Sequence, residues 1–226
     1  MFSTLPKEYA QYKDWSWVQF KPYADDLVSR VVSADNLTGW LTNWSDLSRM
    51  LSEMVSRLWV ATTVNTTDQE GKARYNAYLD ELYAPAMAFQ QQCKEKLLAS
   101  GLEPEGMRVP LMHMRAEAEV YCEANLALLA EELKLSSEYD EIIGAQTVTY
   151  EGKEYTVKQL EPFYLLPERA VREQVWRLAT ERQLADREKI NDLWQRLMAV
   201  RGQIAAHAVQ ADYRAYMRKV LQRYHY

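Results

Sequence analysis

The sequence predicts a mainly α-helical fold: a single multi-helix lobe spanning 1–226, broken once by a small β-hairpin near residues 145–157. Three observations carry that expectation. Apolar residues recur at steps of three and four along most of the chain. Only 7 Gly and 7 Pro occur in 226 residues, too few for a turn-rich β protein. One stretch alone, GAQTVTYEGKEYT (144–156), sets β-branched and aromatic residues on both sides of a tight turn.

Along the chain, Trp15 and Trp17 fall in an irregular segment that covers the core. The first long helix is expected over 38–62, where Leu37, Trp40, Leu41, Trp44, Leu47, Leu51, Met54, Val55 and Leu58 form one stripe, so Trp40 and Trp44 read as core rather than as a binding groove. Thr67 followed by Glu70 reads as a capping box that starts a helix near Asp68 and runs toward Tyr83. Pro85 either kinks that helix or opens the next, which ends at Ser100 and a Gly101 cap. From Pro110 a third segment places Leu111, Met114, Ala118, Tyr121, Leu128 and Leu129 on one side. A short helix over 137–143 follows, ended by Gly144. In the hairpin, Thr147–Tyr150 and Tyr155–Val157 flank a Glu151-Gly152 turn, where glycine accepts positive φ. Beyond Pro162 and Pro167 the longest helical stretch covers 168–206, and a last helix lies near 212–223. No internal repeat is present.

A chain of this length buries roughly 70–75% of its unfolded surface, enough for its own core. The formal net charge of -5, with basic and acidic residues interleaved, argues against nucleic acid as a partner. No basic leader with an apolar run opens the chain, and no window reaches the ~18 apolar residues of a membrane span, so no membrane association and a cytoplasmic location are expected. Cys93 and Cys122 fall inside helical patterns and read as buried small apolar groups rather than a disulfide.

Little in the sequence points to chemistry. His113 and Glu117 lie one helical turn apart, with Glu119 and Glu123 nearby, but this is half a metal site at most: zinc needs at least three protein ligands. Neither HExxH nor a di-iron ExxH pair occurs, and no GxSxG, Walker or dinucleotide glycine motif is found. Glu117, Glu119, Glu123, Glu131 and Glu132 read as a solvated helix face rather than an acid–base pair. Of the other histidines, His207 is read as incidental to a turn, and His225 lies near the end.

Several segments, in order, resemble a known family: RLWVATTVNTTD (57–68), KLLASGLEPEG (96–106), MRAEAE (114–119), GAQTVTYEGKEYT (144–156) and WRLATERQLADREKINDLW (176–194). Together they look like the N-terminal region of oligoendopeptidase F, a zinc peptidase family related to the thimet oligopeptidases, over about 15–226. The resemblance implies a helical molecule whose two lobes enclose a deep channel. It also implies a catalytic helix bearing HExxH, in which two histidines bind zinc and the glutamate activates water. Those residues lie downstream of the matched region, so no catalytic, metal or substrate-binding residue carries over here. The resemblance therefore implies a truncated, non-catalytic half that forms one wall of the peptide channel, without cofactor in this chain and with zinc in the intact family. Its partners would be a separate catalytic half or a second copy, and oligopeptides. An autonomous helical peptide- or protein-binding module is the alternative, and a metalloenzyme centred on His113 and Glu117 a third. The sequence departs from the family pattern at His207-Ala208-Val209-Gln210, where an Asn-Ala-Gly-Phe-like turn is expected, which puts the docking of the last helix in question. The hairpin should pack on the helices after Pro167 rather than shape an active site.

Overall fold

The chain enters a helix earlier than its apolar pattern suggests. In the computed structural model, which describes residues 2–222, α1 spans Trp17–Ser29. Ser16 caps it: the Ser16 hydroxyl accepts from the Val18 amide, and the Gln19 side chain accepts from the Ser16 amide at 2.9 Å. Pro22 and its charged neighbours obscure the periodicity. The proline nevertheless falls early in the helix, and Phe20, Ala24 and Leu27 still bury one face. Trp17 is thus helical, not irregular, and Trp15 packs edge-on against Phe20.

The stripe read from sequence forms α2 (Leu37–Val64), with Trp40, Trp44, Leu47, Leu51, Met54 and Leu58 buried. Each indole finds an acceptor: Trp40 donates to the Leu27 carbonyl at 3.0 Å and Trp44 to the Gln90 side chain at 2.7 Å. The cap of α3 (Gln69–Tyr78) lies one residue later than expected. The Asp68 carboxylate accepts from the Gly71 amide at 3.0 Å, while the Thr67 hydroxyl donates back to Asn65. The helical path then passes through a π turn, Leu79–Tyr83, into α4 (Ala84–Ala99). Pro85 explains the turn, because it has no N–H to return to the carbonyl four residues back and its ring crowds that carbonyl. Gly101 follows α4 at φ +66°, as expected of a terminal glycine.

The segment from Pro110 is two helices, not one. α5 (Arg108–Val120) ends, the chain makes a 3-10 turn at Glu123–Asn125, and α6 (Leu126–Gly144) absorbs the short helix expected at 137–143. The turn is set by Asn125, which is fully buried and donates its side-chain amide to the Ile204 carbonyl at 2.9 Å. Gly144 is needed at the end of α6 for closeness: a Cβ there would stand 2.7 Å from the Thr66 side chain.

β1 (Thr147–Tyr150) and β2 (Lys153–Thr156) pair antiparallel, Tyr150 opposite Lys153 and Thr147 opposite Thr156. Glu151 at φ 51° and Gly152 at φ 78° form the two-residue turn with both central residues left-handed, the geometry that matches strand twist. After a 3-10 segment, Lys158–Leu165, come α7 (Arg169–Ala185) and α8 (Arg187–His207), where the sequence suggested one helix. The break is at Asp186, whose buried carboxylate accepts from Gln146 at 3.2 Å, Arg182 at 2.6 Å and Lys189 at 3.4 Å. The Gln146 hydrogen bond chiefly holds the Asp186 carboxyl below its ordinary range. As expected, the hairpin packs on the helix after Pro167: Tyr150, Leu160, Val175 and Ala179 make a small core of their own. The main core lies among α1 to α4, and another joins Val120, Ile204, Ala205 and Tyr216.

The divergent turn at 207–210 docks the last helix, α9 (Tyr213–Val220), in a regular way. The Gln210 amide donates to the Ala205 carbonyl at 2.9 Å and the Val209 amide to Ala206 at 3.0 Å, the pair of bonds that closes a helix with a left-handed residue. That residue is Val209, at φ 53° and exposed, a β-branched side chain where glycine is favoured. The expected end of the last helix at 223, like His225, lies outside the described residues. Val209→Gly is expected to raise stability by about 1 kcal/mol, since relief of the left-handed strain exceeds the added chain entropy; a urea titration of both proteins checks the sign.

Candidate functional site

Of the acidic residues noted in the sequence, Glu132 departs furthest from a solvated face. Its side chain is only 13% exposed; it accepts from the Arg201 Nε at 2.7 Å and from the Tyr213 hydroxyl at 2.6 Å. The Arg201 guanidinium also lies over the Tyr213 ring, 5.0 Å from its centre. Burial, then the hydrogen bond to Glu132, pushes the Tyr213 phenol well above its ordinary value. This corrects the sequence reading for that residue: Glu132 is a structural anchor joining α6, α8 and α9. Glu131 beside it is exposed, as expected.

Half a metal site at His113 and Glu117 does not assemble. The Glu117 carboxylate meets the Lys94 ammonium at 2.5 Å and accepts from the Gln222 amide at 3.0 Å, while Glu119 faces Lys219 at 3.4 Å and Glu123 opens the 3-10 turn. Among the described residues no three His, Cys, Asp or Glu side chains are placed to hold a metal ion, so these residues do not fit the zinc of the resembled family and no step is assigned to it. His207 has a role the sequence did not signal: its Nδ1 is 3.0 Å from the Asn125 Oδ1, where it closes the end of α8 onto the buried amide. Cys93 is fully buried, as expected of an apolar-like thiol, whereas Cys122 is half-buried on the wall of a cavity.

A groove of about 480 Å³ lies between α6 and α8. Leu135, Tyr139, Ile190, Leu193, Trp194 and Leu197 line it, with Asp140 and Arg201 as polar neighbours. Trp194 is 55% exposed, and Met198, one turn on, is exposed too. Periodicity placed Trp194 on a helix but could not say that α6 stops short of covering it. Apolar walls with few polar groups suit contact with a peptide or another protein surface. No described helix is long and apolar enough to cross a membrane.

No family model matches the chain, and no curated protein does. Solved structures do. An oligoendopeptidase F structure superposes with a TM-score of 0.82 at 23% identity, covering 100% of this chain and 40% of its own. The fold is that of oligoendopeptidase F. PZ peptidase A, solved with an inhibitor, gives 0.86 at 20% identity with the same coverage, and an oligoendopeptidase F from Bacillus anthracis gives 0.82 at 16% over 94% of this chain and 40% of its own. The chain therefore spans 40% of the length of these structures, and the oligoendopeptidase F resemblance read from sequence extends to the three-dimensional fold.

Removing Glu132 leaves a half-buried guanidinium and a half-buried hydroxyl without their acceptor. Glu132→Ala is expected to cost about 1–2 kcal/mol of unfolding free energy, read from denaturant midpoints. A second expectation concerns alkaline pH. Burial pushes the Cys93 thiol up to about 12, and burial with nearby Tyr216 pushes the Tyr83 phenol to about 12. Both are acids whose folded-state pKa is raised, so the unfolded chain loses their protons first. The stability they lend is whole below about pH 9 and falls as pH rises toward 12, by up to about 1.4 kcal/mol per pH unit for each group. Denaturant midpoints at pH 8 and 10.5 should show the loss, with a shallower slope in Cys93→Val.

Proposed function

We propose that this chain is the non-catalytic part of an oligoendopeptidase F-like zinc peptidase and supplies one wall of its peptide channel. The observation that carries the reading is coverage: two of the solved structures accommodate the whole chain, with no element left over, in 40% of their own length. The sequence has no HExxH, so zinc and the attacking water belong to a part outside residues 1–226. In this reading the α6–α8 groove, with Trp194 and Tyr139, is the apolar surface offered to the peptide or to the catalytic part. The partner is then a catalytic half, and the substrates are oligopeptides. The half-exposed Trp176, Leu184 and Trp194 also favour a second reading, a binding module that pairs with a second copy or another protein without hydrolysis.

An internally quenched oligopeptide separates the two. Residues 1–226 with zinc should not cleave it above the buffer rate. Added to the HExxH-bearing remainder of an oligoendopeptidase F, they should raise its cleavage rate about tenfold or more, equivalent to about 1.4 kcal/mol of barrier. Trp194→Ala should weaken the effect. Cleavage by the chain alone, or neither association with nor activation of the catalytic part, overturns the proposal; self-association with peptide binding and no activation favours the second reading.

A further inference from the structure

A second cavity, about 340 Å³ and open to solvent on one side, lies between α4, α5, α6 and α9. Its walls are mostly apolar: Met87, Val120, Leu126, Leu129 and Val220. Three nine-tenths-buried polar side chains interrupt them; Asn125 is satisfied by the Ile204 carbonyl and His207, and the other two come from different helices. Gln91 on α4, 5% exposed, donates its amide to Glu95 at 2.8 Å, but its carbonyl oxygen receives no hydrogen bond among the described residues. Tyr216 on α9, 7% exposed, has a hydroxyl with no hydrogen-bond partner among the described residues. Neither atom is sealed off, since no fully enclosed side-chain polar atom lacks a partner, and both residues line this cavity. Both atoms are open to the cavity, an acceptor on one wall and a hydroxyl on another, and together they suit one kind of group. It is a group with an N–H to give and an oxygen to receive. A charged ligand is not favoured, because the Lys94 ammonium and Glu117 carboxylate on the cavity wall already pair with each other.

We propose that this cavity binds a neutral, apolar amide, namely one apolar residue within a peptide. Its backbone N–H donates to the Gln91 carbonyl, its carbonyl accepts from the Tyr216 hydroxyl, and its side chain lies against Met87, Leu126, Leu129 and Val220. The volume accommodates one residue together with its flanking amides. That the amide belongs to a peptide rests on the peptidase reading above; the preference for a neutral apolar amide rests on the cavity alone.

Cys122 on the cavity wall reports occupancy, because Cys93 is fully buried. With iodoacetamide the folded chain should be alkylated at Cys122 alone. Saturating N-acetyl-L-leucinamide should slow that alkylation several-fold. Tyr216→Phe should raise the concentration for half-protection about fivefold, the worth of one hydrogen bond. Gln91→Met, similar in shape but without the carbonyl, should do the same and stands in if the tyrosine variant does not fold. No protection by the amide overturns the proposal, as does equal protection by an alcohol bearing the same isobutyl group, or half-protection unchanged in both variants. The readout involves no catalysis, so neither association with nor activation of the catalytic part, together with intact protection, refutes the peptidase reading and leaves the amide site standing.

Discussion

A carboxylate on α6 governs how the second half of the molecule is arranged. Glu132 is too enclosed to be left to water, and a charge in that setting is tolerated only if donors surround it. Its donors come from 69 and 81 residues further along, Arg201 on α8 and Tyr213 on α9, so satisfying one side chain positions two helices at once. Two turns earlier Asn125 imposes a similar demand, met by the Ile204 carbonyl and His207. The order of these partners runs backward along α8 as it runs forward along α6, which fixes the two helices antiparallel. Farther along, the exposed pair Glu138 and Arg196 continues the same register and adds little energy of its own.

α9 depends most on this arrangement. Eight residues cannot hold a helix through propensity, and this one follows a turn that puts a valine in a left-handed conformation. One local cap and two tertiary contacts hold it: the Asp212 carboxylate accepts from the Ala215 amide at 2.7 Å, Tyr213 reaches Glu132, and Tyr216 enters a small apolar core.

Much of the architecture was legible because it follows from repetition. The stripe of α2 needs only a period, and the hairpin only two β-prone runs around a Glu-Gly turn. Three of the misreadings share a cause, a polar residue whose partner lies far away in sequence. Asp186 splits α7 from α8 through Gln146, 40 residues earlier, and Asn125 separates α5 from α6 through residues some 80 later. Glu132 looked like its exposed neighbour Glu131 because a helix face shows nothing of what packs on it. α1 was hidden differently, by Pro22 within an otherwise ordinary amphipathic turn. The two concave surfaces were beyond sequence reasoning altogether: each is the shortfall of one helix in covering another, and Trp194 and Tyr216 are unremarkable aromatics until that shortfall is seen.

The hairpin's part follows from the same long-range logic. It touches neither concave surface, and its own core with α7 is separate from the other two. Yet Gln146, where its strands begin, is almost wholly buried; its carbonyl accepts from the Val157 amide at 3.0 Å, and its side-chain amide donates to Asp186. Closing the hairpin therefore places the donor that the α7–α8 corner requires. Arg182, bonded to the same carboxylate and reaching the Ala145 carbonyl at 3.4 Å, ties that corner to the end of α6. α8 is thus set against α6 from both ends, by Asn125 and His207 at one and by Asp186 at the other. The groove around Trp194 lies between those two fixed points. A two-stranded sheet too small to be stable alone contributes here by holding a corner, which accounts for its place in a fold otherwise made of helices.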